Sequence, residues 1–123
     1  MHRRGFSPKL STCRTLAVAL AMATVIARLG GSLDVVVANA RAVAPAADKS
    51  LLNVNKAWLK TLSGNTRTTV LLVEALRAHL SATGRLIFIS SAAAAGPGGG
   101  AYGAAKAALH GWMYDLAVEL GPI

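Results

Sequence analysis

Two short apolar segments joined by a long helical pattern constrain the fold of this chain more than any other feature. Residues 33–38 (LDVVVA) and 85–90 (RLIFIS) are rich in β-branched residues, as is typical of strands buried on both faces of a parallel sheet. Residues 58–80 between them have a helical pattern, with Gly64 as its weakest point. Because parallel strands joined by a helical crossover form a right-handed βαβ unit, the sequence predicts an α/β fold with a parallel sheet.

Further helical patterns precede and follow this βαβ unit. Residues 101–120 predict a last helix, which Gly121-Pro122 ends, whereas residues 41–55 and 91–100 are expected to be irregular. Before the first strand, residues 15–27 are an apolar run that Gly30-Gly31 ends, and one face of a 3.6-residue period collects four of its apolar positions, Val18, Met22, Val25 and Leu29. The order helix, strand, helix, strand, helix leaves both strands with open edges, so we expect the middle of a larger sheet.

Charge and cysteine content exclude several classes of protein. Thirteen Lys and Arg against five Asp and Glu give a net charge of +8, but five of the basic residues precede Asp34, the first acidic residue. The remainder is balanced like an ordinary globular surface and has no zinc-finger or RNA-binding pattern, so no nucleic-acid partner is predicted. Cys13 is the single cysteine and the three histidines lack ligand spacing, so neither an internal disulfide nor a metal site is predicted.

The amino-terminal part leaves two interpretations open. We expect a basic segment at residues 1–14 and one domain at residues 15–123. Residues 15–27 comprise thirteen uncharged residues, too few for a membrane span, which needs about 20. Residues 1–27 match a signal peptide, which predicts an exported protein. The apolar stripe instead matches a buried helix, and the chemistry described next is typical of the cytoplasm, so a cytoplasmic protein is favoured.

The most informative residues for chemistry are Tyr102 and Lys106 at the start of the last predicted helix. Residues i and i+4 share one helical face, with Cβ atoms about 6 Å apart. A free phenol titrates near pH 10, so it exchanges protons poorly at neutral pH. A nearby ammonium favours the phenolate, and a tyrosine so placed can act as an acid/base group.

Polar residues at the predicted strand ends accompany this pair. Ser90 and Ser91 end the second strand and Asn39 follows the first, at the sheet edge where open α/β sheets bind ligands. Asn65 lies in the intervening helix, seven residues after Trp58. Residues 98–103 match G-x-G-x-x-G, but residues 91–97 separate them from the strand, so this is not a dinucleotide-binding turn.

These motifs together resemble the short-chain dehydrogenase/reductase family. SLDVVVANA at 32–40 resembles the family's strand ending in Asn-Asn-Ala-Gly, with Asn39 as the second Asn. The helix with Trp58 and Asn65 resembles the one that supplies the family's catalytic Asn. GRLIFISS at 84–91 and YGAAKAAL at 102–109 resemble the strand with the catalytic Ser and the Tyr-x-x-x-Lys helix. The resemblance runs from about residue 16 to residue 122, which is only the middle of the family's fold, so we expect a chain truncated at both ends.

The resemblance implies a partial Rossmann-like, doubly wound parallel sheet in three α/β/α layers. It also implies an oxidoreductase that uses NAD or NADP to interconvert a carbonyl and an alcohol in a small molecule. Tyr102 would exchange a proton with the carbonyl or hydroxyl oxygen of the substrate. Lys106 would assist this proton transfer and bind the nicotinamide ribose, and Ser91 would hold the carbonyl oxygen by a hydrogen bond. Asn65 would link Lys106 to solvent through water, and Asn39 would line the cofactor site.

This sequence departs from the family's motifs at several positions, which leaves alternative assignments of residues and of function. Arg41 stands where the family usually has Gly, and Ser91 precedes Tyr102 by eleven residues, about two fewer than the commonest spacing, so Ser90 is the second candidate. The strand and Gly-rich loop that bind the cofactor's phosphates in the family are not found in this sequence. A non-catalytic remnant that serves as an association module is therefore the alternative function. In either case we expect a homo-oligomer formed through the helices at 66–80 and 101–120.

Overall fold

The structure is a computed structural model that describes residues 8–28 and 30–121. Its elements in chain order are α1 (Pro8–Arg28), β1 (Leu33–Ala38), α2 (Leu51–Leu62), a π-helical turn (Ser63–Arg67), α3 (Thr68–Leu76), a 3₁₀ turn (Arg77–His79), β2 (Leu80–Phe88), a second 3₁₀ turn (Ala92–Ala94) and α4 (Gly100–Leu120). Of the predicted features, Leu29, Pro122 and the first seven residues of the basic segment lie outside the described residues.

The two strands form a parallel two-stranded sheet, as the sequence predicts. Val36 pairs with Leu86 and Ala38 pairs with Phe88. The register is irregular at the start, where Leu33 pairs with Leu80 but Val35 already pairs with Arg85. The prediction of a helix that continues to Leu80 is therefore wrong, because α3 ends at Leu76 and pairing with β1 draws Leu80 and the residues after it into an irregular first part of β2.

The predicted crossover helix is longer at its start and interrupted in its middle. It begins at Leu51 rather than Trp58, because the Ser50 side chain accepts a hydrogen bond from the Asn53 N–H and so caps α2. The π-helical turn falls on Gly64, the predicted weak point. A Cβ atom at Gly64 would overlap the side chain of Ala42, so the close approach of the loop after β1 requires glycine there.

The helices cover one face of the sheet and leave the other open. Val36 and Ala38 of β1 are buried on the covered side, where the Phe88 ring meets the Trp112 ring of α4 edge to face at 5.6 Å. On the opposite face, four apolar side chains are between 41% and 53% exposed: Val35, Val37, Ile87 and Ile89. The described residues thus form two of the three expected layers, and the expectation of strands buried on both faces is wrong for this part of the chain.

Helix α1 packs against α3. Ala19 is the buried residue among its described side chains, at 4% exposure, whereas Val18, Met22 and Val25 of the predicted stripe are exposed. The prediction that this apolar stripe is the buried face of the helix is therefore wrong. Among the helices that the structure describes, none combines the length and apolarity needed to cross a bilayer.

Candidate active site

Lys106 lies at the carboxyl edge of the sheet and holds the ends of both strands. Its side chain is 2% exposed, and its Nζ donates hydrogen bonds to the Ala40 carbonyl at 2.7 Å and the Ile89 carbonyl at 2.9 Å. These carbonyls follow β1 and β2 by one or two residues. A buried ammonium is tolerated only when its donors are satisfied, and here two of the three N–H groups are bound by backbone dipoles. The third N–H has no protein acceptor among the described residues.

Tyr102 lies one helical turn before Lys106, at the start of α4. The centre of its ring is 5.9 Å from the Lys106 Nζ. The Arg41 guanidinium carbon is also 5.9 Å from the ring centre, so the phenol has a buried cation and an exposed cation nearby. The predicted Tyr102/Lys106 pairing on one face of α4 therefore forms, and the structure adds Arg41 to it.

Glycines allow α4 to begin in this place. Gly98 and Gly100 have φ angles of +84° and +49°, in the left-handed region that favours glycine. A Cβ atom at Gly103 would overlap the Ala93 carbonyl, because the loop before α4 packs directly on the first turn of the helix. The glycines thus allow the turn at Ala92–Ala94 to pack closely on the start of α4.

The two serines after β2 have different partners. Ser91 Oγ accepts a hydrogen bond of 3.2 Å from the Ala93 N–H and caps the short 3₁₀ turn. Its hydroxyl proton is not used in that contact and can be donated to a ligand. Ser90 Oγ instead lies 2.7 Å from Nε2 of His110 on α4. This contact between Ser90 and His110 is not predicted by the sequence pattern.

Asn65 is fully buried in the π-helical turn and binds the loop after β1. Its Nδ2 donates to the Ala42 carbonyl at 2.6 Å and the Thr61 carbonyl at 2.7 Å, while its Oδ1 accepts from the Ala42 N–H at 3.2 Å. The side chain therefore acts on the segment that carries the Ala40 carbonyl and makes no hydrogen bond to Lys106. Asn39, at the end of β1, is exposed.

Two buried threonines complete this network, and the sequence analysis missed both. Thr61 Oγ1 accepts from the Ala44 N–H at 3.1 Å, and Thr69 Oγ1 donates to the Asn65 carbonyl at 2.8 Å. The signal was present, since Thr61, Asn65 and Thr69 are spaced by four residues and so share one helical face. In the part of the chain that the structure describes, no group of His, Cys, Asp and Glu side chains could hold a metal ion.

Comparisons with known proteins identify the family. A family model described as enoyl-(acyl carrier protein) reductase matches residues 13–123. The chain belongs to the short-chain dehydrogenase/reductase family. The short-chain dehydrogenase/reductase SDRA of Arabidopsis thaliana is 35% identical over 94 residues, which are 75% of this chain and 37% of that protein.

Solved structures of this family share the fold of the chain. A short-chain dehydrogenase/reductase from Saccharomyces cerevisiae is 33% identical with a TM-score of 0.73, over 84% of this chain and 42% of that protein. A Shigella flexneri short-chain dehydrogenase complexed with NADP is 30% identical with a TM-score of 0.72, over 85% and 45% of the two chains. An Escherichia coli one complexed with NADPH is 29% identical with a TM-score of 0.70, over 86% and 45%. The partial Rossmann-like fold is confirmed, and the chain spans less than half the length of each of these relatives.

Proposed function

We propose that this short-chain dehydrogenase/reductase chain provides the active-site core of an NAD(P)-dependent oxidoreductase that interconverts a carbonyl and an alcohol. The observation that carries the proposal is the buried Lys106 ammonium, which both strand ends hold 5.9 Å from the Tyr102 ring. NADP and NADPH in the two bacterial relatives support a nicotinamide cofactor. When bound, such a cofactor supplies or accepts the hydride.

Each candidate residue has one part in this proposal. Tyr102 transfers the proton to or from the substrate oxygen, and the Lys106 ammonium lies 5.9 Å from the centre of its ring on the same face of α4. The remaining N–H of Lys106 fits a ribose hydroxyl of the cofactor, and the exposed Asn39 lines the same site. Ser91 donates its free hydroxyl proton to the substrate oxygen.

Asn65 has an indirect part. By binding Ala42, it fixes the segment whose Ala40 carbonyl receives the Lys106 ammonium. The water-mediated link between Asn65 and Lys106 that the family resemblance implies stays a prediction.

Substitution of Tyr102 tests the proposal. Tyr102→Phe removes the proton donor, so we expect turnover to fall by a factor of about 10² to 10⁴ while the nucleotide dissociation constant stays within about twofold. Lys106→Ala is expected to lower turnover and to raise the nucleotide dissociation constant, because it removes a charge and the proposed ribose contact. The control is Tyr114→Phe, since Tyr114 lies on the same helix and is 68% exposed. Turnover by Tyr102→Phe at the rate of the unsubstituted protein would contradict the assignment.

A second candidate function, association between copies of this chain, is supported by the exposed apolar residues near the end of α4. Tyr114 and Val118, spaced by one helical turn, are 68% and 79% exposed. A second copy packed there would remove both side chains from water. We expect Val118→Lys to lower the association constant in sedimentation equilibrium. If the protein binds no nucleotide but associates through Val118, the association module is the better description.

A further inference from the structure

Arg41 is an exposed cation at the candidate active site that no proposed catalytic step uses. It follows the end of β1 by three residues, and its guanidinium carbon lies 5.9 Å from the centre of the Tyr102 ring. The ring contact holds the guanidinium over the residue to which the substrate must come. A ligand that reaches Tyr102 therefore comes close to a positive charge on its solvent side.

The surroundings of Arg41 do not neutralise this charge. Glu74 and Glu119 are both within 4 Å of Arg77, at the far end of the helical layer. Asp34 accepts a hydrogen bond from Ser81 at the opposite end of the strands, and Asp48 accepts one from the Ser50 N–H. The fifth acidic residue, Asp115, is nine positions after Lys106 on α4, which is about 13 Å along a helix.

Among the described residues, no carboxylate forms an ion pair with either cation at the carboxyl edge of the sheet, Lys106 or Arg41. Lys106 uses two of its N–H groups on backbone carbonyls, which leaves the Arg41 guanidinium with the larger free donor capacity. A guanidinium presents a planar fork of donors that matches the two oxygens of a carboxylate or phosphate.

We propose that Arg41 binds an anionic oxygen group on the ligand that reaches Tyr102. This inference rests on the proposed function, because that function places a ligand at Tyr102. The anionic group has two sources, a carboxylate of the carbonyl substrate or a phosphate of the nucleotide. Both offer oxygen pairs to the same guanidinium, and they differ in which molecule loses affinity when Arg41 is replaced.

Four probes distinguish these sources. Benzoylformate carries a ketone beside a carboxylate, and its methyl ester keeps the ketone without the charge. NADP⁺ carries one phosphate more than NAD⁺. Dissociation constants for all four are measured by NMR titration of the protein, of Arg41→Gln and of Arg41→Lys, with Lys56→Gln as the charge-matched control because Lys56 is exposed on α2.

We expect Arg41→Gln to weaken the binding of at least one anionic probe by about three- to tenfold, as for an exposed charge-assisted contact. Arg41→Lys should retain part of the affinity, and binding of the methyl ester should be unchanged. If only benzoylformate loses affinity, Arg41 binds the substrate carboxylate. If only NADP⁺ loses affinity, Arg41 binds its additional phosphate. If both nucleotides lose affinity equally, Arg41 binds the phosphates that they share.

Three results overturn the inference. The first is that Arg41→Gln and Lys56→Gln have the same dissociation constant for every anionic probe. The others are that Arg41→Gln weakens binding of the methyl ester as much as binding of the acid, or that the protein binds no anionic probe. The failure of the inference is distinguishable from the failure of the proposed function. If Tyr102→Phe abolishes turnover and Arg41→Gln leaves all affinities unchanged, only the role of Arg41 is wrong. If the protein binds benzoylformate through Arg41 but neither binds nucleotide nor turns substrate over, the oxidoreductase proposal fails and the anion site remains.

Discussion

The two faces of the β1–β2 sheet are made of similar residues and have opposite surroundings. On β1, Val36 and Ala38 are 6% and 3% exposed, whereas Val35 and Val37 are 53% and 51% exposed. The strand is therefore as apolar on its open face as on its covered face. Residue type predicts that both faces belong in an interior, but the helices that follow each strand in this chain cover only one of them.

The difference shows where the stability and the candidate site come from. All buried polar groups of the site, including Lys106 and Asn65, lie on the side of the sheet that the helices cover or at its edge. Their hydrogen bonds join the strand ends and the loop after β1 to the helical layer. The open face contributes apolar surface that another part of a protein, or another copy, would cover.

The largest loss of stability is expected where the helical layer is hydrogen-bonded to the loop after β1. Asn65→Ala removes three hydrogen bonds and leaves the Ala42 N–H and carbonyl unsatisfied, so we expect a loss of about 3 kcal/mol in the free energy of unfolding. Urea denaturation followed by Trp fluorescence measures it. Asn55→Ala, at an exposed position of α2, should change stability by less than about 0.5 kcal/mol. A loss below about 1 kcal/mol for Asn65→Ala would contradict a stabilising role for these hydrogen bonds.

A matched pair of substitutions on β1 tests the two faces directly. Val36→Ala and Val37→Ala remove the same two methyl groups from neighbouring positions. We expect a loss of about 2 kcal/mol for Val36→Ala, because a cavity is left behind, and of about 0.5 kcal/mol for Val37→Ala. Equal losses would mean that the open face is covered in solution, and sizing chromatography of both variants at several concentrations would then show whether a second copy covers it.

The smallest effect is expected at Asp48, in the connection before α2 and away from both faces. Hydrogen bonds from the Ser50 side chain and backbone lower the pKa of Asp48 below its ordinary 3.8. A lowered folded-state pKa stabilises the fold at pH values above the unfolded-state pKa, and this stabilisation is lost as the pH falls through the folded-state pKa. Ser50→Ala should raise the pKa of Asp48 towards 3.8, measured by NMR titration of its carboxyl carbon. An unchanged pKa would show that the Ser50 backbone and the Asn53 side chain are responsible instead.

The sequence allowed prediction of the features that depend on local pattern. The β-branched run of β1, the apolar core of β2 and the Tyr102/Lys106 spacing are local, and the structure contains all three. The start of β2 at Leu80 was missed because it depends on pairing with Leu33, 47 positions earlier in the chain. The buried face of α1 was mistaken because it depends on packing against α3, and the structure buries Ala19 rather than the stripe with Val18.

The unpredicted parts of the site are likewise contacts between distant segments. Arg41 reaches Tyr102 across 61 positions, and Asn65 binds Ala42 across 23. No periodicity within one element encodes such contacts. The spacing of Thr61, Asn65 and Thr69 could have indicated a polar helix face, but only the position of the loop after β1 shows what that face binds.

The two hydrogen bonds of Lys106 have a consequence for how this family diverges. Because a single ammonium joins the backbone beyond β1 to the backbone beyond β2, Lys106 is a non-covalent cross-link as well as a chemical group. A descendant that had abandoned hydride chemistry would still lose buried hydrogen bonds by replacing it. Selection for folding alone therefore preserves this lysine, and its presence in a relative is weak evidence that the relative is an active oxidoreductase. Tyr102 is not part of the cross-link, so selection for folding alone would not preserve it in the same way.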